Sequence, residues 1–156
     1  MNWLLKSAYR LYQLSWRITR PTVVGVRTLL LQDNQLLLVR HTYQHHWYFP
    51  GGAVKRGESL VDAARREALE EAGVTITGDL VLLGMYWSMA EGKNDHIAVF
   101  VGTEFSVGNA LDRWEIADCR WFPLQALPAE FSPACSRRLA EFQQGAGPYI
   151  VRRGAA

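Results

Sequence analysis

Cysteine is scarce: Cys119 and Cys135 are the two thiols in 156 residues. They form neither a disulfide framework nor a paired-cysteine zinc motif, and both are expected to be plain thiols. Charge of either sign is also not in excess. Seventeen Lys and Arg against fifteen Asp and Glu leave a net +2, too little to mark a DNA-binding surface. No internal repeat, low-complexity segment or cleavable signal peptide is evident, so a reducing cytoplasm is the expected compartment. What the chain does have is a 49% hydrophobic content, enough for the core of one ordinary globular domain.

Acidic residues are missing from the start of the chain. Asp33 is the first of them, whereas Lys6, Arg10, Arg17 and Arg20 precede it. On a helical wheel Lys6, Arg10 and Arg17 share a narrow sector, with Leu4, Leu5, Leu11, Leu14, Trp16 and Ile18 among the residues covering the rest. Residues 1–20 therefore read as a basic amphipathic helix, too interrupted by charge to cross a bilayer. Two uses are open: lying on an anionic membrane surface, or packing against its own domain or a second subunit of a homodimer.

From residue 21 to 156 the pattern is that of one α/β domain. Thr22 to Leu31 and Gln35 to His41 are Val- and Leu-rich, and Gln32-Asp33-Asn34 between them reads as a hairpin turn. Further strands are expected over Leu80 to Trp87, His96 to Phe105 and near Cys119 to Phe122. A closing helix is expected over Pro133 to Gln144, with Ser132 at its N-cap. Strands flanking helices in this order suit an α/β/α sandwich around a mixed sheet.

The middle of the chain carries the chemistry. A helix is predicted after Ser59, opened by the capping-box-like Ser59-Leu60-Val61-Asp62 and stopped by Gly73. Val61, Ala64, Ala68 and Ala72 form its expected buried stripe. Glu67, Glu70 and Glu71 fall in its last two turns, within roughly a third of a turn of one another at about 100° per residue. Like charges at these spacings repel by a few tenths of a kcal/mol per pair, and each carboxylate at the negative end of the helix dipole costs roughly 0.3 to 1 kcal/mol. Sequences break local rules of this kind at functional sites, and a divalent cation turns the repulsion into attraction. A solvated acidic face neutralised by Arg65 and Arg66 is the alternative. With no clustered Cys or His nearby, an oxygen-loving ion is favoured, Mg²⁺ first and Mn²⁺ second.

Upstream lies Phe49-Pro50-Gly51-Gly52-Ala53-Val54-Lys55-Arg56-Gly57-Glu58, whose glycines let backbone approach a ligand closely. Gly52, five residues, Glu58, seven residues, Arg66-Glu67, then Glu70-Glu71 and Gly73-Val74 together resemble the complete signature box of the Nudix hydrolase family. The resemblance covers Gly52 to Val74, and the order of elements extends it from about Pro21 to Gln144. Ala68 stands where many relatives have a larger aliphatic residue. The resemblance implies the same α/β/α fold and a hydrolase that splits a nucleoside diphosphate linked to another group. By motif position it makes the Gly51 carbonyl, Glu67, Glu70 and Glu71 metal ligands. Glu58 would contact Arg66 or a second ion, and Arg66 would hold the glutamates in place, a role weighed against direct substrate contact.

The general base is open between Glu67 and a later loop. Glu115 in Trp114-Glu115-Ile116 precedes Trp121-Phe122, where several relatives place an acidic residue, while Glu91 and Asp95 are weaker candidates. Arg40, Lys55 and Arg56 are candidates for neutralising phosphate oxygens, against a solvated surface role. Tyr86 and Trp87 are candidates for stacking on a nucleobase, against a place in the core. His41, His45 and His46 read as solvent- or substrate-facing and not as a zinc site. Ser88-Met89 lacks the proline of ADP-ribose-cleaving relatives, and Ala90-Glu91 lacks the tyrosine of those cleaving dinucleoside polyphosphates. A small nucleotide, either a triphosphate or a nucleotide sugar, is the expected substrate. A nucleotide-sensing regulator and a hydrolase of RNA 5′ ends are the alternatives; the first would normally have lost a box glutamate, and the second lacks a broad basic surface.

Overall fold

The computed structural model describes Ser7 and residues 21–89, 94–110, 114–145 and 149–153. The expected helix over residues 1–20 lies, Ser7 apart, outside the described residues. No described helix is long and apolar enough to cross a membrane.

β1 (Thr22–Gln32) and β2 (Gln35–His41) form the expected hairpin. Asp33 and Asn34 both have positive φ, 49° and 60°, the geometry that matches a two-residue turn to the twist of its strands. A six-stranded sheet is completed by β4 (Val81–Ser88), β5 (Asn94–Gly102), β7 (Ile116–Pro123) and β8 (Tyr149–Arg153), in the order β7-β2-β1-β5-β4-β8. The sheet is mixed: β1 runs parallel to β5 and β4 parallel to β8, and the other pairs are antiparallel. β3 (Val74–Ile76) and β6 (Phe105–Val107) make a separate antiparallel pair. These two and β8 are additions to the strands expected from sequence. β3 and β6 are three residues each, too short for a period to show.

Side chains alternate across the sheet and divide the core in two. Leu29, Leu38 and Val99 on one face pack against Cys135 and Leu139 of α2 (Pro133–Gln143). On the other face, Val26, Ala98 and Phe100 pack against Ala63 and Ala64 of α1 (Leu60–Ala72), and Leu37 and Val39 against Ala68 and Ala72. A helix lies on each side, which makes the α/β/α sandwich.

α1 starts and stops where its sequence signals lie. Ser59 Oγ accepts the Asp62 amide at 3.1 Å and donates to the Asp62 carboxylate at 2.6 Å. Gly73 ends the helix in the left-handed conformation, φ 67°. The buried stripe differs from the expected one. Val61 is 38% exposed, and Ala63, Ala64, Ala68, Glu71 and Ala72 face inward. A face of alanines lets the helix lie close on the sheet, and that choice of rotation carries Glu71 inside. Ser132 precedes α2 as expected but makes no side-chain cap bond, and Pro133 opens the helix where its missing amide costs nothing.

Candidate active site

The glycine loop is held flat against β1. Thr28 N–H donates to the Pro50 carbonyl at 2.8 Å, Val26 N–H to the Gly52 carbonyl at 2.9 Å, and Val54 N–H to Val24 at 2.9 Å. This approach needs glycine at 51. Its φ is 148°, and a Cβ there would lie 2.1 Å from the Val26 carbonyl oxygen. Gly52 serves a different purpose, since a Cβ on it would come within 2.6 to 2.9 Å of the Glu67 carboxylate. The loop thus brings bare backbone up to the acidic end of α1.

Arg66 organises the carboxylates. Its Nε and Nη2 donate to the two Glu58 oxygens at 2.7 and 3.0 Å, and Nη1 donates to Glu67 at 2.7 Å and Glu70 at 3.0 Å. Nη2 also reaches the Ala53 carbonyl at 3.1 Å. A guanidinium has five N–H groups, and all five are engaged within the protein. Of the two uses considered for Arg66, this geometry supports holding glutamates in place. Glu58 is in addition capped by the Lys55 amide at 3.0 Å. Hydrogen bonds from Arg66 above all, then from Lys55, hold the Glu58 carboxyl down to about 2.

Glu67 lies in the opposite regime. Burial pushes its carboxyl up, the Arg66 hydrogen bond pulls it down, and Glu71 and Glu70 add to the upward push. Glu71 is buried, and both its oxygens are occupied: Oε1 by His41 Nε2 and Oε2 by the Gly51 amide, each at 2.8 Å. Glu70 is more open and has Lys55 Nζ at 3.8 Å.

Several expected contributors fall elsewhere. Arg40 lies on the α2 side of the sheet, over the Trp47 ring at 5.0 Å and 3.6 Å from Asp118. It does not touch the glutamates, because it alternates with His41 along β2. Tyr86 is corrected from a stacking surface to a core residue: it is 4% exposed, its hydroxyl donates to Glu141 at 2.7 Å, and Arg138 covers its ring at 3.6 Å. Trp87 donates its ring N–H to Asn94. Lys55 and Arg56 are exposed on the loop. Glu115 is exposed, its carboxylate accepting from the Tyr43 hydroxyl and its carbonyl from the Thr42 amide at 2.9 Å. Glu91 is outside the described residues. His45 and His46 are exposed, but the solvent- or substrate-facing reading is wrong for His41, which is 4% exposed and sits on Glu71. Period-two alternation was the signal that could have found it, since His41 follows Leu37 and Val39 on the inward face of β2.

The donor set suits a hard cation. Among the described residues no three His, Cys, Asp or Glu side chains already form a cage. Glu67 and Glu70, however, each keep one oxygen that takes no hydrogen bond from Arg66; the Glu67 carboxylate lies beside Gly52, and Lys55 Nζ is 3.8 Å from the remaining Glu70 oxygen. Every donor on offer is oxygen, as Mg²⁺ or Mn²⁺ prefers. Burial pushes the Cys119 thiol up to about 11, with Asp118 and Glu71 adding to the rise.

The chain is similar to several named proteins. The chain is 33% identical over 119 residues to a Bacillus subtilis protein provisionally named an 8-oxo-dGTP diphosphatase, covering 76% of this chain and 77% of that one. It is 29% identical over 117 residues to the ADP-ribose pyrophosphatase of Methanocaldococcus jannaschii, covering 72% and 69%. A Mycobacterium tuberculosis protein provisionally named mutator protein MutT4 is longer: 34% identity extends over 103 residues, 61% of this chain, and the chain spans 40% of that relative. Among solved structures, the MutT NUDIX hydrolase of Burkholderia pseudomallei superposes with a TM-score of 0.69 at 25% identity, over 76% of this chain and 96% of that one. The family model described as the NUDIX domain matches residues 19–142. With that match extending well beyond the glutamate helix, on both sides of it, the chain belongs to the Nudix hydrolase family.

Proposed function

We propose that this protein is a Mg²⁺-dependent pyrophosphohydrolase that cleaves a phosphoanhydride bond of a small nucleotide, a nucleoside triphosphate or a nucleotide sugar, by attack of water at phosphorus. The observation that carries this reading is the cluster of carboxylates at the end of α1, Glu67 and Glu70 gathered by Arg66 and Glu71 held by the Gly51 amide, against the backbone of the glycine loop.

The Gly51 carbonyl, Glu67, Glu70 and Glu71 would hold the ion, and Mn²⁺ would fit the same donors. Bound there, Mg²⁺ would neutralise phosphate oxygens and acidify the attacking water. Glu67 is suited to accept the proton, because burial raises its proton affinity above that of an ordinary carboxylate. Glu58 serves Arg66, whose hydrogen bonds keep Glu67 and Glu70 from drifting apart under their mutual repulsion. Lys55 and Arg56, exposed on the loop, would meet the phosphate chain as it enters. Glu115, tethered by Tyr43 and Thr42 next to the end of β2, would complete the ion's shell or serve as the alternative base. The relatives' names span 8-oxo-dGTP and ADP-ribose, which supports a nucleotide with a phosphoanhydride as the common denominator.

The test is a panel of nucleoside triphosphates, including oxidised ones, nucleotide sugars and dinucleotides, incubated with Mg²⁺ or with EDTA and resolved chromatographically. We expect turnover of at least one compound, abolished by EDTA, with oxygen from labelled water in one phosphate product. Binding of nucleotides without turnover in any Mg²⁺ or Mn²⁺ condition would establish a sensor in place of an enzyme.

A further inference from the structure

His41 closes β2 with its ring on the α1 side of the sheet, 4% exposed. Its Nε2 lies 2.8 Å from Glu71 Oε1. A carboxylate has no proton to give, so the ring donates through Nε2–H. Nδ1 is buried and has no hydrogen-bond partner among the described residues, so it is the lone-pair nitrogen. A second N–H there would be buried with no described residue to accept it.

The consequence falls on Glu71. Its opposite oxygen accepts the Gly51 amide at 2.8 Å, so strand β2 and the glycine loop hold one carboxylate from two sides. A glutamate free to turn about its side-chain torsions would surrender rotamer entropy when a ligand fixes it. Glu71 has already surrendered it in the folded chain. The grip also opposes two forces that would turn the carboxylate away: repulsion from Glu67 one turn earlier, and the negative end of the α1 dipole.

We propose that His41 is a positioning residue for the reaction: by donating to Glu71 it presets that carboxylate in the orientation that receives the divalent cation. The inference rests on the reading of Glu71 as a ligand. His41 itself touches neither ion nor substrate. Its contribution resembles that of outer partners that orient ligating side chains elsewhere, whose loss weakens metal binding about 10- to 100-fold.

Mn²⁺ binding to the intact chain, without nucleotide, read from the electron paramagnetic resonance of the free ion, tests this alongside thermal melts. A glutamine at 41 can place an amide N–H near the Nε2 position, whereas an asparagine places it near Nδ1, short of Glu71. We expect His41→Asn to weaken Mn²⁺ binding about tenfold or more. His41→Gln should stay near wild type, with both variants melting cooperatively. If the asparagine variant does not fold, His41→Phe, which fills the ring's volume without a donor, replaces it. Wild-type affinity in the donor-less variant, with Glu71→Gln weakened, overturns the role of His41 and leaves the ligand reading standing. Equal losses in the Gln and donor-less variants overturn it too, since shape and not the N–H would then matter. Wild-type affinity in Glu71→Gln instead overturns the ligand reading itself.

Discussion

Arg66 and Glu58 meet through two parallel hydrogen bonds, Nε to Oε1 at 2.7 Å and Nη2 to Oε2 at 3.0 Å, a fork-to-fork pair that joins the loop before α1 to the helix's second turn. This geometry holds the Glu58 carboxyl at about 2, from an ordinary 4.5. A carboxyl depressed on folding adds stability above its unfolded value, and loses that contribution as pH falls through the folded one. Glu58→Gln should therefore be less stable than wild type at neutral pH, and the gap should close as pH drops below 4.5 towards 2. Urea midpoints taken from about pH 6 down to about pH 3 check it. A gap that stays constant across that range would mean that the pair stabilises by shape and not by charge.

Glu70→Gln and Glu71→Gln delete charge and keep volume. Each should lower Mg²⁺-dependent turnover at least about 100-fold while the melt remains cooperative. Steady-state rates at saturating Mg²⁺ decide the point. Unchanged rates in both variants would defeat the assignment of these carboxylates to an ion.

Two glycines of the loop separate steric from conformational demands. At Gly51 an added Cβ meets the Val26 carbonyl at 2.1 Å, whereas at Gly57, φ 81°, it meets nothing within 4 Å. Gly51→Ala should cost about 3 kcal/mol or more, and Gly57→Ala about 1 kcal/mol, the strain of a left-handed residue alone. At roughly 2–4 °C per kcal/mol for a domain this size, the two melts should differ visibly. Equal shifts would show that the loop peels from β1 at little expense.

Tyr86→Phe removes the bond to Glu141 but not the ring beneath Arg138. A stability loss of about 1 kcal/mol with no change in KM is expected. A raised KM for nucleotide would return Tyr86 to the substrate side.

Much of the fold shows in local chemistry. Ser59 and Gly73 bound α1 because a cap hydroxyl and a left-handed glycine act within a few residues of themselves. Asp33 and Asn34 set the hairpin for the same reason. Pairings between distant segments do not show. β1 lies parallel to β5 from Thr22 beside Asn94 to Leu30 beside Gly102, a match that no neighbouring residue announces. Tyr86 was open to two uses in sequence because a strand aromatic on either face of a sheet reads alike; α2 covering its face decided for the core.

By itself the sequence determined the family's acidic motif, the span of its helix and the glycine loop before it, since spacing along one chain and backbone permissiveness are local properties. Tertiary structure alone decided which carboxylate is buried and who holds it. Arg66 gathers Glu58, Glu67 and Glu70 through its own planar fork, but Glu71 turns inward to His41, 30 positions away. That meeting depends on the rotation of an alanine-faced helix upon the sheet, which packing settles and a one-dimensional pattern does not contain.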